Sequence, residues 1–297
     1  MLDIKTFLSD IKINDKNIKY LNYIWEEIEK YINVLTEYSV ESQNTFLVDY
    51  LIKENAKSSN IEGVSYLKKV LDLYNSCFFE RSFFNEKSLQ EINKTVRSIK
   101  ELIPEDKYIH AYNKPYEQYK AEELMNLTGR FRTEIVWLGP TNNKQDAKHI
   151  PPKPQELDQY IKDFLSYYND EFEIKGLTDP LVKAALLHVI FIKIHPFANG
   201  NGRTARLLLN EYIRTSINKK YNLNFLYPLL NLSSSFIISK SAYNENQNNI
   251  IFKEGVDNNE AFNNWIKYIL ERIEEQLYFL NNRITRYSDL LKNKKYK

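Results

Sequence analysis

The 297-residue chain sets 41 Lys and Arg against 39 Asp and Glu, a net charge of +2, and this balance excludes nucleic-acid binding by bulk positive charge. Hydrophobic residues make up 43%, ordinary for a soluble globular protein with a substantial core, and the single cysteine, Cys77, excludes an intramolecular disulfide and a cysteine-rich zinc site. With only 7 glycines and 9 prolines the composition leans away from all-β folds, which consume both in tight turns, and towards helices.

The N-terminal MLDIKTFLSDIKINDK has no long apolar run, and no segment reaches the length of a membrane span. A cytoplasmic protein is therefore expected. From residue 15 to 60 helices are predicted: Leu21, Ile24, Trp25, Ile28, Tyr31 and Ile32 recur at helical spacing, and Phe46, Leu47, Tyr50 and Leu51 repeat the pattern. Gly63 can close that segment, and Leu67–Tyr74 and Ser88–Leu102 give further short helices, the latter ended by Pro104. Between Thr128 and Pro154 the character changes. Arg132 to Leu138 is β-prone and runs into Gly139-Pro140, a turn signal, and Lys148 to Pro152 is extended because residues before proline avoid the helical region. A β-hairpin-like flap is expected here.

Residues 155–169 read as a helix, and 179–194 as another, capped by Asp179 with Pro180 in its first turn. The second is apolar on nearly all sides, the mark of a central buried helix. Pro196 ends it, and a new helix starts near Gly202. Ser233–Asn246 and Asn259–Leu280 are predicted helical, and the basic tail Lys292–Lys297 is expected to be solvated.

The chemistry concentrates in His195–Arg206, HPFANGNGRTAR. Gly200-Asn201-Gly202 allows backbone conformations closed to most residues, so successive amides can face one concavity. The following helix adds its unpaired N–H groups and positive dipole end, making an anion site suited to phosphate. Arg203 and Arg206, three apart, can each fork onto phosphate oxygens. His195, just ahead, can accept a proton from an incoming hydroxyl. Taken singly, each of these features has a plain structural explanation; together in so short a stretch they point to phosphoryl or nucleotidyl transfer. His188 shares the face of His195 and reads as a core histidine or as a support for it.

This stretch resembles the signature of the Fic family (filamentation induced by cAMP), HPFx(D/E)GNGRxxR. The run His188–Ile194 and the segments Gly129–Thr133 and Ala147–Pro152 also resemble the family, over about 240 residues. The resemblance implies an all-α, Fic-type helical bundle with a β-hairpin flap over the site. The expected divisions are 1–104, an N-terminal helical region; 105–232, the core with flap and signature loop; and 233–297, helices completing the core.

It also implies transfer of AMP from ATP to a Ser, Thr or Tyr hydroxyl of a target protein. His195 would be the general base and Phe197 a buried anchor. Asn199, Gly200, Asn201 and Gly202 would cradle phosphate, and Arg203 and Arg206 would hold the outer phosphates. Lys148, His149 and Ile150 on the flap would border the nucleotide and dock the target as an added strand. Tyr243 is a candidate for the adenine pocket or an ordinary core tyrosine.

The fifth signature position, usually acidic and bound to Mg2+ or Mn2+, is Asn199. An amide oxygen can ligate such an ion but brings no charge. A variant transferring another phosphate-containing group therefore stays open, as does a non-catalytic nucleotide-binding regulator. Ser58–Gly63 matches the family's inhibitory pattern (S/T)xxxE(G/N). Glu62 would pair with Arg206 and block the γ-phosphate, with Ser58 on the same helix face; in some members the same glutamate supports removal of AMP. Homodimers are frequent in the family, and neither membrane nor nucleic acid is expected as a partner.

Overall fold

The computed structural model describes residues 3–48, 84–98, 109–111, 129–139 and 143–294. In chain order the elements are α1 (Ile4–Ser9), α2 (Asp15–Thr36), α3 (residues 40–48), α4 (Glu86–Ser98), β1 (Ile109–Ala111), β2 (Val136–Leu138), α5 (Leu157–Tyr168), α6 (Pro180–Ile194), α7 (Asn201–Tyr221), α8 (Ser233–Ile238), α9 (Lys240–Asn249) and α10 (Asn259–Lys294). The protein is mostly helical, as expected. Among the described residues no helix is long and apolar enough to cross a membrane.

α6 is the centre. From Leu181 to Ile194 only Ile192 is not buried, which is why no polar stripe interrupts its sequence. Each fully buried Leu, Ile, Val or Phe contributes about 2 kcal/mol relative to exposure. Asp179 caps the helix as expected, accepting from the amides of Leu181 (2.9 Å) and Val182 (3.4 Å). Its other oxygen accepts from Trp25 Nε1 at 2.8 Å, which fastens α2 to the same end. α7 returns antiparallel along α6, with α5 and α10 on its other sides and α4 against α7. α10 reaches α6 through the fully buried Trp265, whose Nε1 donates to the Ala185 carbonyl at 2.7 Å. A single hydrophobic core runs from Ile4 to Ile284, drawing on all three expected divisions.

Three elements depart from expectation. β2 pairs antiparallel with β1, a strand the sequence did not announce, in the register Ile109↔Leu138, His110↔Trp137 and Ala111↔Val136. The flap's return side is a single bridge, Leu138↔His149, with the Leu138 amide donating to the His149 carbonyl at 2.9 Å. The predicted helix from Ser233 breaks at Ser239, whose hydroxyl bonds back to the Ser235 carbonyl (2.7 Å) beside its own amide (3.0 Å) and meets Tyr268 Oη (2.6 Å), a back-bond that bends helices. α10 continues to Lys294, well past Leu280, because Ile284 is still buried and Tyr287 packs on Phe46 with ring centroids 5.3 Å apart.

Candidate functional site

The site forms where α6 ends. The last carbonyls of any helix lack intrahelical partners, and burying them without donors is costly. Here each finds one. The Phe191 carbonyl accepts from the His195 amide at 3.0 Å, and the Ile192 carbonyl from His195 Nδ1 at 3.2 Å. The Lys193 carbonyl accepts from His149 Nε2 at 2.7 Å. Arg132 supplies the next two: Nη2 donates to Ile194 (3.4 Å) and Nε to His195 (2.7 Å). The Arg132 amide donates to the Pro196 carbonyl at 2.9 Å.

This pattern sets the chemistry of His195. A carbonyl only accepts, so Nδ1 carries the hydrogen, and in the neutral imidazole Nε2 is then the basic nitrogen. The residue is buried and stands in the left-handed region at φ 51°, ψ 59°, which turns the chain sharply out of α6. Its surroundings are desolvated and cationic. Burial, then the neighbouring Lys193 charge, pushes His149 down to about 3, so it is neutral when it donates. Burial lowers Lys193 to about 8 and Arg132 to about 10, leaving Arg132 charged at neutral pH.

The loop beyond is held from three sides. Phe131 bridges to Phe197, which is fully buried against the Phe131 ring at 5.2 Å. Asn201 closes its side chain on Phe197, accepting from the Phe197 amide (3.0 Å) and donating to its carbonyl (2.8 Å). The side-chain part of the phosphate cradle expected at Asn201 is thus taken up inside the loop. Asn93, buried on α4, donates to the Asn199 carbonyl (2.9 Å) and accepts from the Gly129 amide (3.0 Å). Gly129 is required: its φ is +71°, and a Cβ would lie 2.8 Å from the Gln90 carbonyl oxygen. Gly200, at φ 82°, precedes α7, whose N-terminal amides and dipole end open onto the loop. Arg203 and Arg206 stand half-buried on the first turn.

The structure therefore brings together His195, Asn199, Gly200, Asn201, Gly202, Arg203 and Arg206. On the flap Lys148 and Ile150 are exposed, whereas His149 between them is buried as a tether to α6. Tyr243 lies in the core. Its hydroxyl meets His188 Nε2 at 3.0 Å, and its ring packs on Phe236 (4.9 Å) and Trp265 (6.0 Å). His188 is pushed down to about 3 by burial and, secondarily, by the Arg206 charge. Ser58 and Glu62 lie outside the described residues. Arg132 and Asn93 were missed as site residues. The available signals were a charge inside a β-prone run and an asparagine on the apolar face that Leu89 and Ile92 define.

A family model described as the Fic/DOC family matches residues 84–213, the span from the Asn93 helix through the loop and most of α7. This segment belongs to the Fic/DOC family. The chain is similar to the protein adenylyltransferase fic-1 of Caenorhabditis elegans, 29% identical over 134 residues, which are 39% of this chain and 24% of that protein. It is also similar to a protein adenylyltransferase Fic of Nematostella vectensis, 32% identical over 130 residues, 43% of this chain and 27% of that one. The chain thus spans about a quarter of the length of these curated relatives. In fold it is similar to a crystal structure of a Fic family protein from Desulfovibrio desulfuricans, with TM-score 0.55 at 17% identity over 91% of this chain and 75% of the other.

Proposed function

We propose that the chain is a protein adenylyltransferase that moves AMP from ATP to a Ser, Thr or Tyr hydroxyl of a target protein. One observation carries the reading: His195 has Nδ1 committed to the Ile192 carbonyl, so Nε2 is basic, and it stands at the mouth of a helix N-terminus that bears Arg203 and Arg206. In the reaction the target hydroxyl oxygen forms a bond to the α-phosphorus and its proton passes to His195 Nε2. The bond from the α-phosphorus to the bridging oxygen breaks, and pyrophosphate leaves. The amides of Gly200 to Gly202 face the α-phosphate, and Arg203 and Arg206 take the charge of the outer phosphates. The target strand docks along the exposed edge of the flap at Lys148 and Ile150, giving main-chain affinity with small sequence demands.

The divalent ion implied by the family fits poorly. No carboxylate occurs in His195–Arg206, Asn199 offers one neutral oxygen, and among the described residues no cluster of His, Cys, Asp and Glu could hold a metal. No step above passes through a metal. Ser58 and Glu62 match the family's inhibitory pattern, in which Glu62 would pair with Arg206 and keep it from the γ-phosphate, and the same glutamate fits a role in removing AMP. The remaining parts of the proposal are a cytoplasmic location, a homodimer, and the three-part division at 104/105 and 232/233.

ATP labelled at either the α- or the γ-phosphate tests the reaction type on the Glu62→Gly protein. Label from the α-position alone is expected on protein. Label from the γ-position would replace AMP transfer with phosphate transfer. Asn199 favours a second reading, a nucleotide-binding regulator without catalysis, which predicts that ATP binds and neither label transfers.

A further inference from the structure

We propose that Arg132 is the positioning residue of this site, a buried guanidinium that joins both ends of the flap to the carbonyl end of the catalytic helix and holds His195 in its working conformation. Its donors reach three stretches of chain. Nη1 donates to the Glu134 carbonyl at 2.9 Å, at the start of the flap, and Nη2 donates to the Pro152 carbonyl at its far end. Nη2 and Nε reach Ile194 and His195 on the catalytic side. The residue is 4% exposed and burial lowers its pKa, and among the described residues the acceptors of its guanidinium are backbone carbonyls rather than carboxylates. The negative end of the α6 dipole and four carbonyl oxygens hold it instead.

A structural arginine whose charge is met by an acid can be replaced by an apolar residue of similar volume. Here the fork geometry is the point, because only guanidinium presents planar donors at the spacing of these carbonyls. His195 is a non-glycine residue at positive φ, a conformation that persists only where its surroundings impose it. Arg132 imposes it through the His195 carbonyl, and its amide does so again through Pro196. The direction of the imidazole, with Nδ1 on Ile192, follows from that backbone. Flap and base are thus set by one side chain, so a target strand docked on the flap is delivered in register with Nε2.

The rate effect rests on the proposed AMP transfer; the imidazole signature does not. Arg132→Gln and Arg132→Lys are made in the Glu62→Gly chain, and 15N spectra resolve the ring nitrogens of the 4 histidines. The unsubstituted ring of His195 shows one tautomer with Nδ1 protonated. In Arg132→Gln the two tautomers mix, kcat falls about 100-fold, and KM for ATP stays within about threefold, with Arg132→Lys intermediate in each. Unchanged tautomer and kcat in both variants, with only the melting temperature lowered, would overturn the assignment. If Arg132→Gln does not fold, Arg132→Lys decides on the same two readouts. If the Glu62→Gly chain itself transfers nothing, the proposed reaction fails and the ring signature alone decides the role of Arg132.

Discussion

Asn93 and Asn201 hold the signature loop by the same amide chemistry, but only one of them sits in the signature. Asn201 bonds Phe197 within its own loop, whereas Asn93 reaches Asn199 across 106 residues of sequence. Asn93→Ala leaves the Asn199 carbonyl and the Gly129 amide without their buried partner, and each such loss costs about 1–3 kcal/mol. Denaturant unfolding is expected to show a loss of about 2 kcal/mol or more, and a change below about 0.5 kcal/mol would contradict the tether. His195 to Arg206 was legible because its chemistry is contiguous: glycines, arginines and a histidine within one turn of loop and helix. Arg132 was not, because its partners are backbone carbonyls as far as 63 residues away, which no local pattern encodes. Tyr243 had two equal readings from sequence, and its bond to His188 places it in the core beside the Arg206 end of α7.

At the scale of elements, the helices with strong apolar periodicity or a clear cap were legible, α6 with Asp179 above all. What sequence concealed was decided by tertiary contact. β1 is three residues long and gains its identity only from β2. Ser239 breaks a helix because Tyr268 on α10 meets its hydroxyl. α10 runs on past Leu280 because α2 and α3 offer it a surface to cover. The flap and α6 meet through His149, and α6 meets α9 through His188, both held neutral with values near 3. The sign is fixed by linkage: a histidine near 6.5 unfolded and near 3 folded binds its proton first in the unfolded state. Stability is therefore complete above pH 6.5 and falls as the pH drops from 6.5 towards 3. Each histidine accounts for about 1.4 kcal/mol by pH 5.5. Unfolding midpoints at pH 7.5 and 5.5 are expected to differ accordingly, and His149→Gln is expected to remove about half the difference. Equal midpoints at the two pH values would refute the neutral pairings.

Taken as a whole, the molecule is built so that its most buried helix ends at His195, the proposed base. α6 is buried from Leu181 to Ile194 except at Ile192; Arg132 and His149 tie the flap to its last turn, and Asn93 ties the signature loop to α4. The central claim is that His195 removes the proton while α7 and its arginines bind the phosphates, so that base and nucleotide site are separable. Intact-mass analysis of Glu62→Gly and of Glu62→Gly with His195→Ala, each incubated with ATP and a protein acceptor, tests this most directly when paired with ATP-binding calorimetry. The account predicts acceptor molecules heavier by one AMP unit with the first protein, none with the second, and ATP binding in both. AMP-modified acceptor formed at an undiminished rate by the His195→Ala protein would contradict it.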